Sequence, residues 1–356
     1  MPKKSIYGFS SLSYFKLRRV LYVAIFWTVI DFVVKVMEED VITGLIVRSI
    51  LVSELLVFVI SLFLAYMFMY GFGKKLKQKS IIINLIIKTL VVLFLAFLMS
   101  FLIYFLSDLI ANGKTASEAF HNFFTESLSI MWLARRTLYW VTLLTFTQLY
   151  LEINDKYSPG VFLEILRGKY DEPKIEKRII MFMDLKDSTP IAESLGHSKY
   201  FKFIRDFIRE VSMAIIERQG QIYQYVGDEV VTSWTYSPKN MQKALDSIIL
   251  ARKYLQSQSN HFKRRYDFIP EFRVGLHMGE VTIGEIGVIK KDLAMSGDTM
   301  NTTARLRSAC NEMNVKFIIS EEFYTNSNLK EFQTKFLGEV DLKGKADKLK
   351  LYALQI

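Results

Sequence analysis

Hydrophobic positions fall into two regimes along this chain. Up to about residue 151 they come in long, nearly unbroken runs, and beyond residue 177 they alternate in short stretches of strand and helix period. Four apolar segments stand out in the first half, at residues 20–36, 50–72, 81–106 and 133–151. A helix of about 20 apolar residues spans the hydrocarbon of a bilayer, and the second and third segments meet that length comfortably. The first is shorter and carries Asp31 and Lys35, whose i, i+4 spacing lets them pair on one helix face. The fourth has Arg135 and Arg136 near its start, which must snorkel to the interface. Glu54 and Lys88 sit inside the second and third segments, where a buried pair joining two helices is the plain expectation.

A charged stretch follows at 152–177, punctuated by Ser158-Pro159-Gly160 and Pro173, with a short helix at 161–167. Residues 178–184 are an apolar run ending in an acid and read as a buried strand. Helical period returns at 200–218. Two β-rich runs, 221–226 and 229–234, meet at Gly227-Asp228, which is a hairpin signal. A helix at 241–258 precedes a strand pair at 272–278 and 281–286, divided by Gly279-Glu280. A helix at 298–311 and strands at 315–320, 333–340 and 348–354 close the chain. Strands alternating with helices and hairpins predict a ferredoxin-like α+β sheet. The expected organisation is a four-span helical transmembrane domain at 1–151, a linker at 152–177 and an α+β domain at 178–356.

Composition sharpens this division. The chain is 51% apolar, more than a soluble protein of its size usually carries, so part of it belongs in lipid. Its net charge is +10, yet the basic residues are dispersed or flank apolar runs instead of gathering on one face. That speaks against a nucleic-acid partner and for membrane lipid, the anionic inner leaflet. Lys3, Lys4, Lys16, Arg18 and Arg19 precede the first span, and Lys74-Lys75-Leu76-Lys77-Gln78-Lys79 separates the second from the third. Glu38-Glu39-Asp40 follows the first span. The positive-inside rule then puts the N-terminus and the α+β domain in the cytoplasm of a multi-pass protein of the plasma (cell inner) membrane. The first span ends without a small-residue cleavage site, so removal of a leader is not expected. One cysteine, Cys310, builds no disulfide framework, and the four histidines lack zinc-binding spacing.

The chemistry concentrates in the second half. Asp184 ends the first strand and Asp228 sits in the next hairpin turn, positions that are neighbours in a ferredoxin-like sheet. Two carboxylates there can hold Mg²⁺ through oxygen, with phosphate oxygens completing the octahedra. Gly227 lets the backbone turn tightly enough to present Asp228.

At this point the residues resemble a family, the class III adenylyl/guanylyl cyclases. Met183-Asp184-Leu185-Lys186-Asp187-Ser188-Thr189 resembles the family's first metal motif, and Gly227-Asp228-Glu229-Val230-Val231 its second. Val274-Gly275-Leu276-His277-Met278-Gly279-Glu280-Val281 is similar to the dimer-arm strand pair. Gly297-Asp298-Thr299-Met300-Asn301-Thr302-Thr303-Ala304-Arg305-Leu306 is similar to the transition-state motif, and Leu342-Lys343-Gly344-Lys345 to the phosphate-binding lysine loop. The likeness runs from about residue 177 to 356 and does not touch the apolar half. It implies a head-to-tail homodimer with active sites at the interface, converting ATP into 3′,5′-cyclic AMP and pyrophosphate. One protomer would supply Asp184 and Asp228 for two Mg²⁺ or Mn²⁺ ions. Its partner would supply Asn301 to orient the ribose, Arg305 to meet charge on the phosphorane, and Lys343 for the terminal phosphates, with Lys345 as the substitute.

Two positions depart from the family's pattern. The base-reading positions fall at Gln224 and Ala294, where adenylyl members carry lysine and aspartate or threonine. A glutamine amide donates and accepts, so Gln224 can address either purine edge, whereas Ala294 offers no polar group. A guanylate cyclase and a catalytically silent cyclase-like membrane receptor therefore stand as alternatives.

Overall fold

The computed structural model describes residues 11–38, 44–67, 81–110, 112–127, 130–154, 161–289, 292–330, 332–340 and 348–356. The basic segments at 3–4 and 74–79, Glu39-Asp40, Ser158-Pro159-Gly160, and both Lys343 and Lys345 lie outside the described residues, as do the side chains of Lys88 and Arg136. The chain divides into two compact units, Met1–Ile153 and Asn154–Ile356.

The first unit contains the helices α1 (Ser11–Glu38), α2 (Gly44–Tyr66), α3 (Ile81–Ile110), α4 (Ala116–Asn122) and α5 (Ile130–Asn154). Thr115 caps α4 through a reciprocal box with Glu118. Trp27, Val57, Leu64, Ala96, Met99, Trp140 and Leu144 form the buried centre between α1, α2, α3 and α5. The Trp27 indole donates to Thr147 Oγ1 at 2.8 Å, which satisfies a polar group that would otherwise be costly there. Leu55, Phe63, Phe94 and Phe146 are exposed on the outside of this unit, so the helices are apolar on both faces. Two of them are long and apolar enough to cross a membrane, over Leu17–Met37 and Thr89–Ile110; Leu51–Tyr66 is apolar but shorter. Among the described residues there are thus two such helices against the four expected spans. Asp31 and Lys35 do pair, at 2.6 Å. Glu54 is held by Lys35 at 2.8 Å, while the pairing expected of Lys88 falls on a side chain outside the described residues. Which basic residue meets a buried acid depends on helix rotation, which spacing within one segment does not encode.

The second unit opens with the short helix α6 (Val161–Leu166). Lys169 and Tyr170 tie the segment down: Lys169 bridges Glu164 and Glu176, each at 3.1 Å, and the Tyr170 hydroxyl donates to Glu164 at 2.9 Å. Strand β1 (Lys174–Leu185) starts four residues before the expected position, 178 − 174, so the end of the expected linker is strand.

Next come α7 (Ser188–Glu217), β2 (Gln221–Val226), β3 (Glu229–Thr235), α8 (Pro238–Ser257), α9 (Ser259–Tyr266), β4 (Phe272–Ile286) and β5 (Asp292–Ser296). The chain finishes with α10 (Asp298–Glu312), β6 (Phe317–Ser320), α11 (Glu321–Asn326), β7 (Gln333–Val340) and β8 (Leu349–Gln355). The strand order is β2-β3-β1-β4-β6-β8-β7, with β5 paired to β4. The first four of these strands, with α7 and α8, make the ferredoxin-like βαββαβ arrangement. Alternation along β1 builds both faces. Ile179, Met181, Met183 and Leu185 pack with α7, α8 and α9 in the main core. Ile180 and Phe182 turn the other way and meet Val231, Val281, Ile283, Met300 and Ala304. Asp184 shares that second face.

One element differs from the sequence reading. Residues 272–286 form a single continuous strand, with no break at Gly279-Glu280. Gly279 serves packing: a Cβ there would sit 2.5 Å from Thr299 Oγ1. Gly275 does the same on a larger scale, because its Cβ would meet the Arg307 backbone nitrogen at 2.4 Å and the Thr303 carbonyl oxygen at 2.7 Å. Helix α10 therefore rests directly on the backbone of β4.

Candidate active site

Asp184 lies one residue from the end of β1, with Glu229 of β3 and Arg273 of β4 directly opposite it on the neighbouring strands. Gly227, at φ +63°, turns the β2–β3 hairpin and delivers Asp228 to the same edge. Burial, and then the charge of Asp228, push the Asp184 carboxyl above the usual carboxylate range, against the pull of Arg307 and Arg273. Asp228 Oδ2 is buried and accepts no hydrogen bond. Two mutually repelling carboxylates, one with an orphaned oxygen, suit a divalent cation. Among the described residues no cluster of three or more His, Cys, Asp or Glu side chains forms a ready-made cage. Such an ion would draw its remaining ligands from phosphate oxygens or water. Just beyond Asp184, α7 begins without a side-chain cap, since its N-cap residue Asp187 is left-handed at φ 57°. Uncapped first-turn amides beside a cation site favour phosphate.

Helix α10 carries Asn301 and Arg305 four residues apart, so they share one face; Asn301 is exposed and Arg305 half-buried. Arg307, two residues further, lies about 200° around the helix from Arg305. It is Arg307 that reaches the acidic edge of its own protomer: Nε is 2.7 Å from Glu229 Oε2, and Nη1 is 3.6 Å from Asp184 Oδ2. Besides Glu229, the charges acting on Asp184 include those of Asp228, Arg307 and Arg273. The structure thus brings Asp184 and Asp228 together and puts Asn301 and Arg305 on a different side of α10.

Gln224 and Ala294, the positions expected to read the base, adjoin two residues that touch within one protomer. The Met295 backbone amide of β5 donates to the Tyr223 hydroxyl of β2 at 2.9 Å. Gln224, beside Tyr223, is exposed, and Ala294, beside Met295, pairs with Gly284 of β4. Sequence reasoning did not single out Glu229, Arg273 or Arg307. Glu229 directly follows Asp228 and Arg273 directly precedes the quoted strand motif. Only the sheet register shows that both flank Asp184.

A family model described as the adenylate and guanylate cyclase catalytic domain matches residues 171–356. Adenylate cyclase 2 of Rhizobium meliloti (strain 1021) is 30% identical over 206 residues, covering 57% of each chain. An adenylate cyclase of Anabaena cylindrica is 22% identical over 218 residues, which is 58% of this chain and 43% of that one. The chain thus spans roughly half the length of these relatives. The structure of a bacterial light-regulated adenylyl cyclase superposes with a TM-score of 0.53 at 19% identity, covering 65% of this chain and 66% of the other. That likeness is one of fold. With more than half of its residues matched by the family model, and with the paired aspartates and the α10 motif in the corresponding order, the chain belongs to the adenylate and guanylate cyclase catalytic-domain family.

Proposed function

We propose that this protein is a membrane-bound adenylate cyclase that works as a homodimer, with its catalytic unit in the cytoplasm. The observation that carries the dimeric reading is the division of the site. Asp184 and Asp228 meet at one edge, while Asn301 and Arg305 occupy another side of α10, so a complete site needs a second copy. The ribose 3′-hydroxyl of ATP attacks the α-phosphorus and gives its proton to water, the bond to the bridging oxygen breaks, and pyrophosphate leaves with the electron pair. Asp184 and Asp228 would hold two Mg²⁺ or Mn²⁺ ions, which would activate the hydroxyl and neutralise the leaving group. The first turn of α7 receives phosphate oxygens. Asn301 of one protomer orients the ribose over its partner's aspartates, Arg305 meets charge developing on the α-phosphoryl oxygens, and Lys343 or Lys345 holds the terminal phosphates. Positioning and electrostatics of this kind need no dedicated protein base.

The apolar outer faces of α1, α2, α3 and α5 support burial in lipid with four crossings, and the first unit would then set the spacing of the two catalytic units. The test is to identify the product made by the full chain with Mg²⁺ or Mn²⁺ and either ATP or GTP. Cyclic AMP is the expected product. Cyclic GMP as the main product would make it a guanylate cyclase reading purines through Gln224. Absence of any cyclic product from a folded dimer would make it a silent receptor. Asp184→Ala and Arg305→Ala should each be inactive, yet their mixture should recover about a quarter of wild-type activity, because half the dimers are mixed and each carries one intact site. No recovery in mixtures proven to exchange subunits would refute the shared site.

A further inference from the structure

The sheet register forces two carboxylates side by side. Asp184 and Glu229 are direct cross-strand partners, and their side chains are only 16% and 10% exposed. Like charges directly opposite one another destabilise a sheet, and Asp228 adds a third negative charge that both groups sense. Arg307 answers this arrangement. Its guanidinium, 26% exposed, lies 2.7 Å from Glu229 and 3.6 Å from Asp184. The two contacts are unequal, so Glu229 is the anchor, through an ion pair that lacks hydrogen-bond geometry, and Asp184 is the looser partner. The base of the side chain is fixed as well, because the Arg307 nitrogen and Cα abut Gly275 of β4.

We propose that Arg307, anchored by Glu229, is a positioning residue that acts as a resident counter-ion for Asp184, holding the place of a divalent cation until one arrives with a triphosphate. The inference rests on the reading of Asp184 and Asp228 as metal ligands. A free divalent ion must displace a guanidinium to reach Asp184 and so binds weakly alone. A triphosphate adds negative charge and oxygen ligands that tip the exchange. Arg307 then withdraws onto Glu229, which keeps that carboxylate out of the ligand set. Ion loading is thereby tied to nucleotide loading.

The experiment is Mn²⁺ binding to the full chain, followed by electron paramagnetic resonance of the free ion, without nucleotide and with a non-cyclisable ATP analogue. Wild type should bind weakly alone and tightly with the analogue. Arg307→Gln should bind Mn²⁺ without nucleotide about tenfold more tightly, because an opposing charge within about 4 Å is gone. Glu229→Gln should move the other way, since the guanidinium is released onto Asp184. The double variant loses the guanidinium while keeping the pair's summed charge, and should bind more tightly than wild type. Arg307→Gln binding no more tightly than wild type, with an unchanged circular dichroism spectrum, overturns the inference. So does a double variant as weak as Glu229→Gln, which would make Glu229 a ligand. Failure of the metal reading has its own signature: Mn²⁺ binding that Asp184→Ala and Asp228→Ala leave unchanged.

Discussion

Gly275→Ala is a single methyl inserted between β4 and α10, and its cost follows from the geometry. The added carbon would lie 2.4 Å from the Arg307 nitrogen, 2.7 Å from the Thr303 oxygen and 3.0 Å from the Arg307 Cα. All three are backbone atoms, so no rotamer change relieves the overlap, and the helix must lift by roughly 1 Å to restore ordinary contact. Overpacking of this kind costs about 1–3 kcal/mol, or roughly 3–10 °C in the melting temperature of a unit this size. The catalytic consequence is larger. On the proposed shared site, lifting α10 would displace Arg305 and Asn301 relative to the partner's aspartates, and an error of about 1 Å in a positioned group costs on the order of 100-fold in rate. Thermal unfolding and cyclic AMP formation by the full-length variant measure the two effects separately. Turnover within threefold of wild type (about 0.7 kcal/mol) would refute the claim that contact between β4 and α10 sets the position of the α10 side chains.

Three further outcomes follow from individual groups. Burial and the Asp228 charge hold Asp184 above the usual carboxylate range, so the folded state retains a proton that the unfolded state has lost, and stability falls as pH rises through that window. Asp184→Asn should therefore melt higher than wild type at pH 8 while losing activity, with the gain vanishing at acid pH; identical melting at both extremes would contradict this. Burial alone would raise Asp206, but bonds from Tyr266 and His261 and the charges of Arg209 and Arg265 outweigh it and hold the carboxyl low. Its contribution is present above the usual carboxylate range and is lost as pH falls through the folded value. Asp206→Ala, which strands the Tyr266 hydroxyl, should cost about 1–3 kcal/mol at neutral pH, read by denaturant titration. Burial pushes the Cys310 thiol up to about 12, so a maleimide should label it slowly at pH 8 in the native protein and rapidly after unfolding.

Much of the α+β unit is written in local pattern. The Gly227-Asp228 hairpin is legible because β-rich runs flank a residue able to take positive φ, and α10 because its period is clean. Gly279-Glu280 misleads for a physical reason: glycine also appears where another backbone or side chain comes close, and here Thr299 does. Strand β5 is five residues without a β-branched side chain and leaves no trace in the pattern. Asp184 and Asp228 are recognisable from their strand ends, but Glu229, Arg273 and Arg307 gain meaning only when the register sets them against Asp184. Lys35 as the partner of Glu54 is likewise a fact of helix packing.

The unbroken β4 strand works as a ruler. One end carries Arg273 beside the aspartates, and the other carries Gly284 opposite Ala294. Between them run eleven steps, 284 − 273, or about 36 Å of extended chain. A pleated strand has no hinge, so the acidic edge at one end and the β4–β5 pair at the other are held at one fixed separation, longer than a single nucleoside triphosphate can span. Deleting a single residue between them would shorten the gauge by about 3.3 Å and turn every side chain beyond the cut to the opposite face. Apart from Gly275 and Gly279, where a Cβ would collide with α10, this part of the chain tolerates substitutions better than insertions and deletions.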